Sequence, residues 1–113
     1  NNGTMPTDPF IAETFDATIM LGLAAVAAQE GSACDSIKTC LRRIATDAGD
    51  ADANIEPGDI KLAVSLLKKG DDINYEGAAG SQEIDAQGDV NNTIEVWTIK
   101  DGKVTSTGQF LSP

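Results

Sequence analysis

Pro57-Gly-Asp-Ile-Lys-Leu-Ala-Val-Ser-Leu-Leu-Lys-Lys-Gly70, running on into Asp71-Asp-Ile-Asn-Tyr75, is where the hydrophobic period of this chain changes. Through Gly70 the apolar residues Ile60, Ala63, Val64 and Leu67 share one helical face. Pro57 suits the opening of that helix, and Lys68-Lys69-Gly70 closes it with a basic last turn and a glycine stop. Past Gly70 the pattern alternates. Ile73-Asn-Tyr75 reads as a short extended run, Gly77-Ala-Ala-Gly80 as a flexible link, Gln82 to Asp85 as a second short strand and Ala86-Gln-Gly-Asp89 as a turn. The clearest hairpin is Thr93 to Ile99, Lys100-Asp-Gly-Lys103, then Val104 to Thr107, because both residues of an Asp-Gly pair accept positive φ.

Working back from Pro57, the period stays helical. Thr7-Asp8-Pro9-Phe10 predicts a helix start with Thr7 or Asp8 as the cap and Pro9 in the first turn. Phe15, Ile19, Leu23 and Val26 then form an apolar stripe that Met20, Leu21 and Ala27 widen, and Gly31 is the natural stop. A second helix starts at Asp35-Ser36, with Ile37, Leu41 and Ile44 facing in and Lys38, Arg42 and Arg43 facing out. Thr46 to Pro57, acidic and rich in small residues, reads as a connecting loop. Helices first and strands second make the expected fold class α+β: three helices, short strands and a C-terminal β-hairpin.

The 113 residues carry 8 Lys+Arg against 18 Asp+Glu, a formal net charge of -10, and no histidine. Such a surface repels phosphate, so no nucleic-acid partner is expected. The missing imidazole removes Ser-His-Asp and Cys-His nucleophile systems and every His-containing metal site. Ser and Thr abound without a tunable base beside them, so the chain is not expected to be an enzyme, and no cofactor or metal is expected. The longest apolar stretch, Thr18 to Ala28, falls short of the ~20 residues that span a bilayer. Asp8, Glu13 and Asp16 occupy the flank where a secretory signal carries basic residues. The chain opens on Asn1-Asn2-Gly3, which reads as the start of a cleaved product or of a piece of something larger.

Cys34 and Cys40 are the two cysteines. Inside one helix their Cα atoms would stand ~9 Å apart, too far for a disulfide. With Cys34 just ahead of the helix cap, the chain folds back and brings it over Cys40 in the first turns. A structural disulfide and an extracytoplasmic location follow from that reading, and two free buried thiols are the alternative. Asp85 to Glu95 has the look of a calcium loop, but Gly88 precedes Asp89 and Val96 stands where the bidentate acid belongs, so an acidic turn is expected. Asn2-Gly-Thr4 and Asn91-Asn-Thr93 match the glycosylation sequon.

An ordered series of segments adds a resemblance. Asp8-Pro-Phe10, Phe15-Asp-Ala17 opening the apolar helix to Val26, the helix Ile37 to Ile44, Pro57-Gly-Asp-Ile60 through Gly70, Asp72-Ile-Asn-Tyr-Glu-Gly-Ala-Ala-Gly80, Ile84 to Val90 and Glu95-Val-Trp-Thr-Ile-Lys-Asp-Gly-Lys103 follow one another. Together they resemble the C-terminal portion of the type I periplasmic solute-binding proteins of ABC transporters, the branched-chain amino acid or Leu/Ile/Val-binding group. The likeness runs from about Thr7 to Val104. No single motif is specific; the series is.

The resemblance implies a parent of two α/β lobes that close on a solute. Residues 1–6 would be linker or disordered, 7–92 helices and strands of the first lobe, and 93–113 the hairpin returning to the second. It implies a C-terminal fragment of a protein that captures amino acids or similar small polar solutes and delivers them to a membrane permease, periplasmic or extracellular and in some members lipid-anchored. A ligand-sensing regulatory domain of the same fold is the alternative, and an independent acidic interaction domain a third reading. Phe10 is the position implied to touch the solute side chain, with Glu13 second. Phe15 replaces the usual tyrosine, and Asp16 is expected to fix its helix to a neighbouring strand. The helix around Phe15 to Ala28 has more apolar surface than so small a chain covers. A missing lobe or self-association through that helix would account for it.

Overall fold

A computed structural model describes residues 10–30, 34–46, 53–91 and 93–112. Its chain order is α1 (Ile11–Gln29), α2 (Ile37–Ile44), β1 (Asn54–Ile55), α3 (Ile60–Leu67), β2 (Asn74–Gly77), β3 (Gly80–Ser81), β4 (Ile94–Lys100) and β5 (Lys103–Leu111). The architecture is mixed α+β, three helices with two small sheets, as the order of periods predicts.

α2 shows how local chemistry sets a boundary. Ser36 has extended backbone and its Oγ accepts from the Thr39 N–H, while Thr39 Oγ1 accepts from the Ser36 N–H, a reciprocal capping box. Arg42 and Arg43 sit in the last turn, where the helix dipole favours positive charge. The inward side is Cys40 and Ile44; Ile37, expected inside, is 49 % exposed. α3 begins after the Pro57–Gly58 turn and buries Ala63 and Leu67. At its end the Gly70 N–H donates to Leu67 O and the Asp71 N–H to Leu66 O, with Gly70 at φ 86.

α1 departs from the expected start. Its N-cap is Phe10, with φ 65 and no side-chain cap, and Pro9 lies outside the described residues. Thr7, Asp8 and Gly31 lie outside the described residues. The buried stripe is Asp16, Met20, Leu23, Ala24 and Ala27, turned from the expected one: Phe15 and Leu21 face solvent. The cause is Asp16, whose buried hydrogen bonds set the rotation of the helix. At 19 residues α1 is long and apolar enough to cross a membrane by length and composition, and in this fold one face of it, Asp16, Met20, Leu23, Ala24 and Ala27, is buried.

The segment read as a loop holds a strand. β1 pairs in parallel with β2, Asn54 opposite Asn74 and Ile55 opposite Tyr75, with α3 as the crossover. A strand of two residues is too short to show a period, which is why the sequence conceals it. β2 then pairs antiparallel with β3 through the turn at Ala78–Ala79. Gln82 to Asp85 forms no strand, only an isolated bridge between Ile84 and Val90. The core lies between α1 and this sheet, with Ile44, Ile55, Leu67, Ile73 and Tyr75 buried at its centre.

β4 and β5 form the expected hairpin. Its turn puts Asp101 at φ 51 and Gly102 at φ 73, the paired left-handed residues of a type I′ turn. A register shift between Val96 and Trp97 inserts Thr107 and Gly108 in β5. Thr107 Oγ1 bonds Val96 O, and Ser106 Oγ bonds Glu95. Among the described residues, no helix and no strand of the first sheet touches this hairpin. The molecule is accordingly long, 55 × 37 × 21 Å, with a radius of gyration of 16.6 Å, against ~13 Å for a compact chain of this length.

Candidate functional site

Asp16 is the one fully buried carboxylate among the described residues, at 0 % exposure. A charge so placed is tolerated only when its lone pairs are met. Oδ1 accepts from Tyr75 Oη at 2.9 Å and from the Ala78 N–H at 2.8 Å, and Oδ2 accepts from the Ala79 N–H at 2.8 Å. The carboxylate therefore ties the second turn of α1 to β2 and to the turn after it. Gly77 is required there. A Cβ on it would stand 2.6 Å from Asp16 Cγ and 2.9 Å from Gln82 Cγ, closer than real Cβ contacts come. The expectation that Asp16 fixes its helix to a strand is met in full.

Tyr75 carries the matching consequence. Burial, then the hydrogen bond to Asp16 and the charge of its carboxylate, push the phenol well above its ordinary pKa of 10. It is a donor that does not ionise, which holds the latch together rather than equipping it for proton transfer. On the other side of β2 the polar residues make a short ladder: Asn74 Nδ2 donates to Asn54 Oδ1 at 3.3 Å and to Glu76 Oε1 at 3.0 Å. Asn74 Oδ1 is buried with no partner among the described residues.

The two residues implied to meet a solute lie at the same end of α1. Phe10 is 72 % exposed in a left-handed conformation that a bulky residue adopts at a cost of about 1–3 kcal/mol. Its carbonyl accepts from the Thr14 N–H at 2.9 Å and from Thr14 Oγ1 at 2.7 Å, which holds that conformation in place. Glu13, in the first turn, is also exposed. The structure thus presents Phe10 and Glu13 to solvent at one helix end, with the Asp16 latch one turn further on.

Cys34 and Cys40 form a disulfide with Cα atoms 5.1 Å apart. It locks the residues ahead of Ser36 onto the first turns of α2, the fold-back read from the spacing, and such a bond is consistent with an extracytoplasmic location. The same helix reaches the Asp85 turn. Arg42 Nη1 donates to Asp85 O, and Asp85 Oδ1 accepts from the backbone N–H groups of Gln87, Gly88 and Asp89 at 2.8–2.9 Å. Those bonds, that of Asp89 first, and the Arg42 charge hold its carboxyl below the usual range. Asp85 is thus the pivot of an Asx turn. Arg43 pairs with Asp72 at 3.1 Å, fixing α2 to the start of β2. No family model matches the chain, nor does any curated protein or solved structure.

Proposed function

We propose that this chain is the C-terminal part of an extracytoplasmic solute-binding protein of the type I periplasmic kind, which captures amino acids or similar small polar solutes for an ABC importer. The observation that carries the reading is the contact at Asp16. Phe15-Asp-Ala17 and Asn74-Tyr-Glu-Gly-Ala-Ala79, two segments on which the resemblance rests, lie some sixty residues apart and meet there side chain to backbone. That gives a physical reason for the two segments to occur together. Three further features support it: Phe10 held exposed and strained at the head of α1, the Cys34–Cys40 disulfide, and the uncovered apolar surface of α1 and of the hairpin.

On this reading the parent has two α/β lobes, residues 7–92 belong to the first and 93–113 to the second, and the protein is a carrier and not an enzyme. Its partners are the solute and the membrane permease that receives it, with Phe10 against the solute side chain and Glu13 beside it. A ligand-sensing regulatory domain of the same fold fits the same surfaces, with closure signalled to a partner protein instead.

The test is a non-reducing intact mass of the protein taken from its natural source, followed by thermal-shift screening with the common amino acids. A mass of two lobes and a ligand-dependent rise in melting temperature that Phe10→Ala reduces is the expected result. A natural product of 11.7 kDa would overturn the reading.

A further inference from the structure

Of the two glycosylation sequons, Asn2-Gly-Thr4 lies outside the described residues, while Asn91 and Thr93 fall in the link between the body and the hairpin. Regular structure stops on either side of them. The Ile84–Val90 bridge comes just before, and β4 begins at Ile94. Asn91 and Thr93 are both exposed, and among the described residues the Asn91 carboxamide has no hydrogen-bond partner. Thr93 Oγ1 stands 3.3 Å from Ser112 Oγ, where the two strands of the hairpin end, so its hydroxyl is held at the surface. Two residues before Asn91, the exposed Asp89 is tied by its N–H and its carbonyl to Asp85, which fixes the near end of the link. Asn91 is thus presented on a short link anchored at both ends.

We propose that Asn91 is a site of N-glycosylation, the acceptor of an oligosaccharide carried on a lipid diphosphate. Asn91 Nδ2 attacks the anomeric carbon of the first sugar. The nitrogen–carbon bond forms as the bond from that carbon to the diphosphate oxygen breaks. The lipid diphosphate leaves with the electron pair, one amide proton passes to a base of the transferase, and nothing is oxidised or reduced. A carboxamide nitrogen is a poor nucleophile because its lone pair is shared with the carbonyl, as in a peptide bond. The transferase must therefore surround the side chain and hold the segment in place, for which the Thr93 hydroxyl two residues on is the handle. Residue 92 is Asn, and a proline there would fix the backbone between acceptor and handle. A surface link admits an enzyme in this way where a helix or an inner strand does not. The transfer takes place outside the cytoplasm, the location with which the Cys34–Cys40 disulfide is consistent. The proposal rests on that location and not on the solute.

Peptide mapping by tandem mass spectrometry, on protein from its natural source, reads the site directly. The expected result is a peptide heavier than its sequence by whole sugar residues, with fragment ions that put the addition on Asn91. Made in the natural producer, Asn91→Gln and Thr93→Ala should each lose the addition completely. Thr93→Ser keeps the hydroxyl and should retain it. Both positions are exposed, so all three variants should keep an unchanged far-ultraviolet spectrum. An addition found on Thr93 instead, or one on Asn91 that survives Thr93→Ala, would overturn the proposal. So would an unmodified Asn91 in protein whose Cys34–Cys40 bond is intact, since that protein has passed through the compartment of transfer. An unmodified Asn91 beside two free thiols would overturn the location together with the site. The solute reading is tested apart from this: a two-lobe mass with ligand-dependent melting stands with a bare Asn91, and a sugar on Asn91 stands without either.

Discussion

Asp16, Tyr75 and Gly77 form a unit in which each residue depends on the chemistry of the others. Asp16→Ala leaves the buried Tyr75 Oη and two part-buried backbone N–H groups without an acceptor, and about 3–5 kcal/mol of stability should be lost in urea denaturation. Asp16→Asn keeps one acceptor oxygen and should cost less. Gly77→Ala drives a methyl into that carboxylate, and a drop of similar size is expected from it. Tyr75 also predicts a pH dependence. Its folded pKa lies above the unfolded value of 10, so the neutral phenol favours the folded state. The stability it contributes is complete below pH 10 and is lost as pH rises beyond. Tyr75 is the only tyrosine, so an alkaline titration watched at the phenolate band should show no ionisation near pH 10 in the native protein. A normal titration there would mean that Tyr75 is not buried against Asp16.

Among the elements, α2 is the best specified by its own residues. It has a capping box, basic residues at its C-terminal end and a covalent tie across its start. Reduction of Cys34–Cys40 opens a short loop and should cost about 2 kcal/mol, read as a lower melting temperature after thiol treatment. Ser36→Ala should remove about 1 kcal/mol through the cap alone. The Asp85 turn gives an acid-side counterpart to Tyr75. Its carboxyl is held low by three backbone N–H groups and Arg42, so its contribution is present above the unfolded pKa and fades as pH falls through the lower folded one. Amide shifts of Gln87, Gly88 and Asp89 should therefore hold steady down to about pH 3.8 and move only below it. Movement well above that pH would contradict the bonds to Asp85.

At the scale of the whole molecule, a body of three helices and a small sheet carries a hairpin that contacts neither. The body should consequently fold without it. Removal of residues 94–113 should preserve the helical far-ultraviolet spectrum and the delayed titration of Tyr75. Loss of both would show that the hairpin contributes to the core in a way the fold does not display.

Those scales differ in how far they could be read from residue order. Three helices, the Asp-Gly hairpin, the Ser36 cap and the Gly70 stop were legible because each depends on neighbours within a few residues, through capping, φ preference or a repeated apolar spacing. The Cys34–Cys40 bond was legible for the same reason, with the free-thiol alternative excluded only once the chain was folded. Phe10 and Glu13 came from a family likeness, and residue order alone says nothing of their exposure. What escaped was every feature set by distant partners. β1 exists because β2 lies beside it, and two residues carry no period of their own. The rotation of α1 is not read from the apolar stripe because hydrophobicity assigns Phe15 to the core, while the tie expected of Asp16 names no strand and so no direction. In the fold, three donors contributed by residues 75–79 draw Asp16 inward and leave Phe15 outside. A carboxylate enters a core only where such donors converge, and convergence is a property of three dimensions.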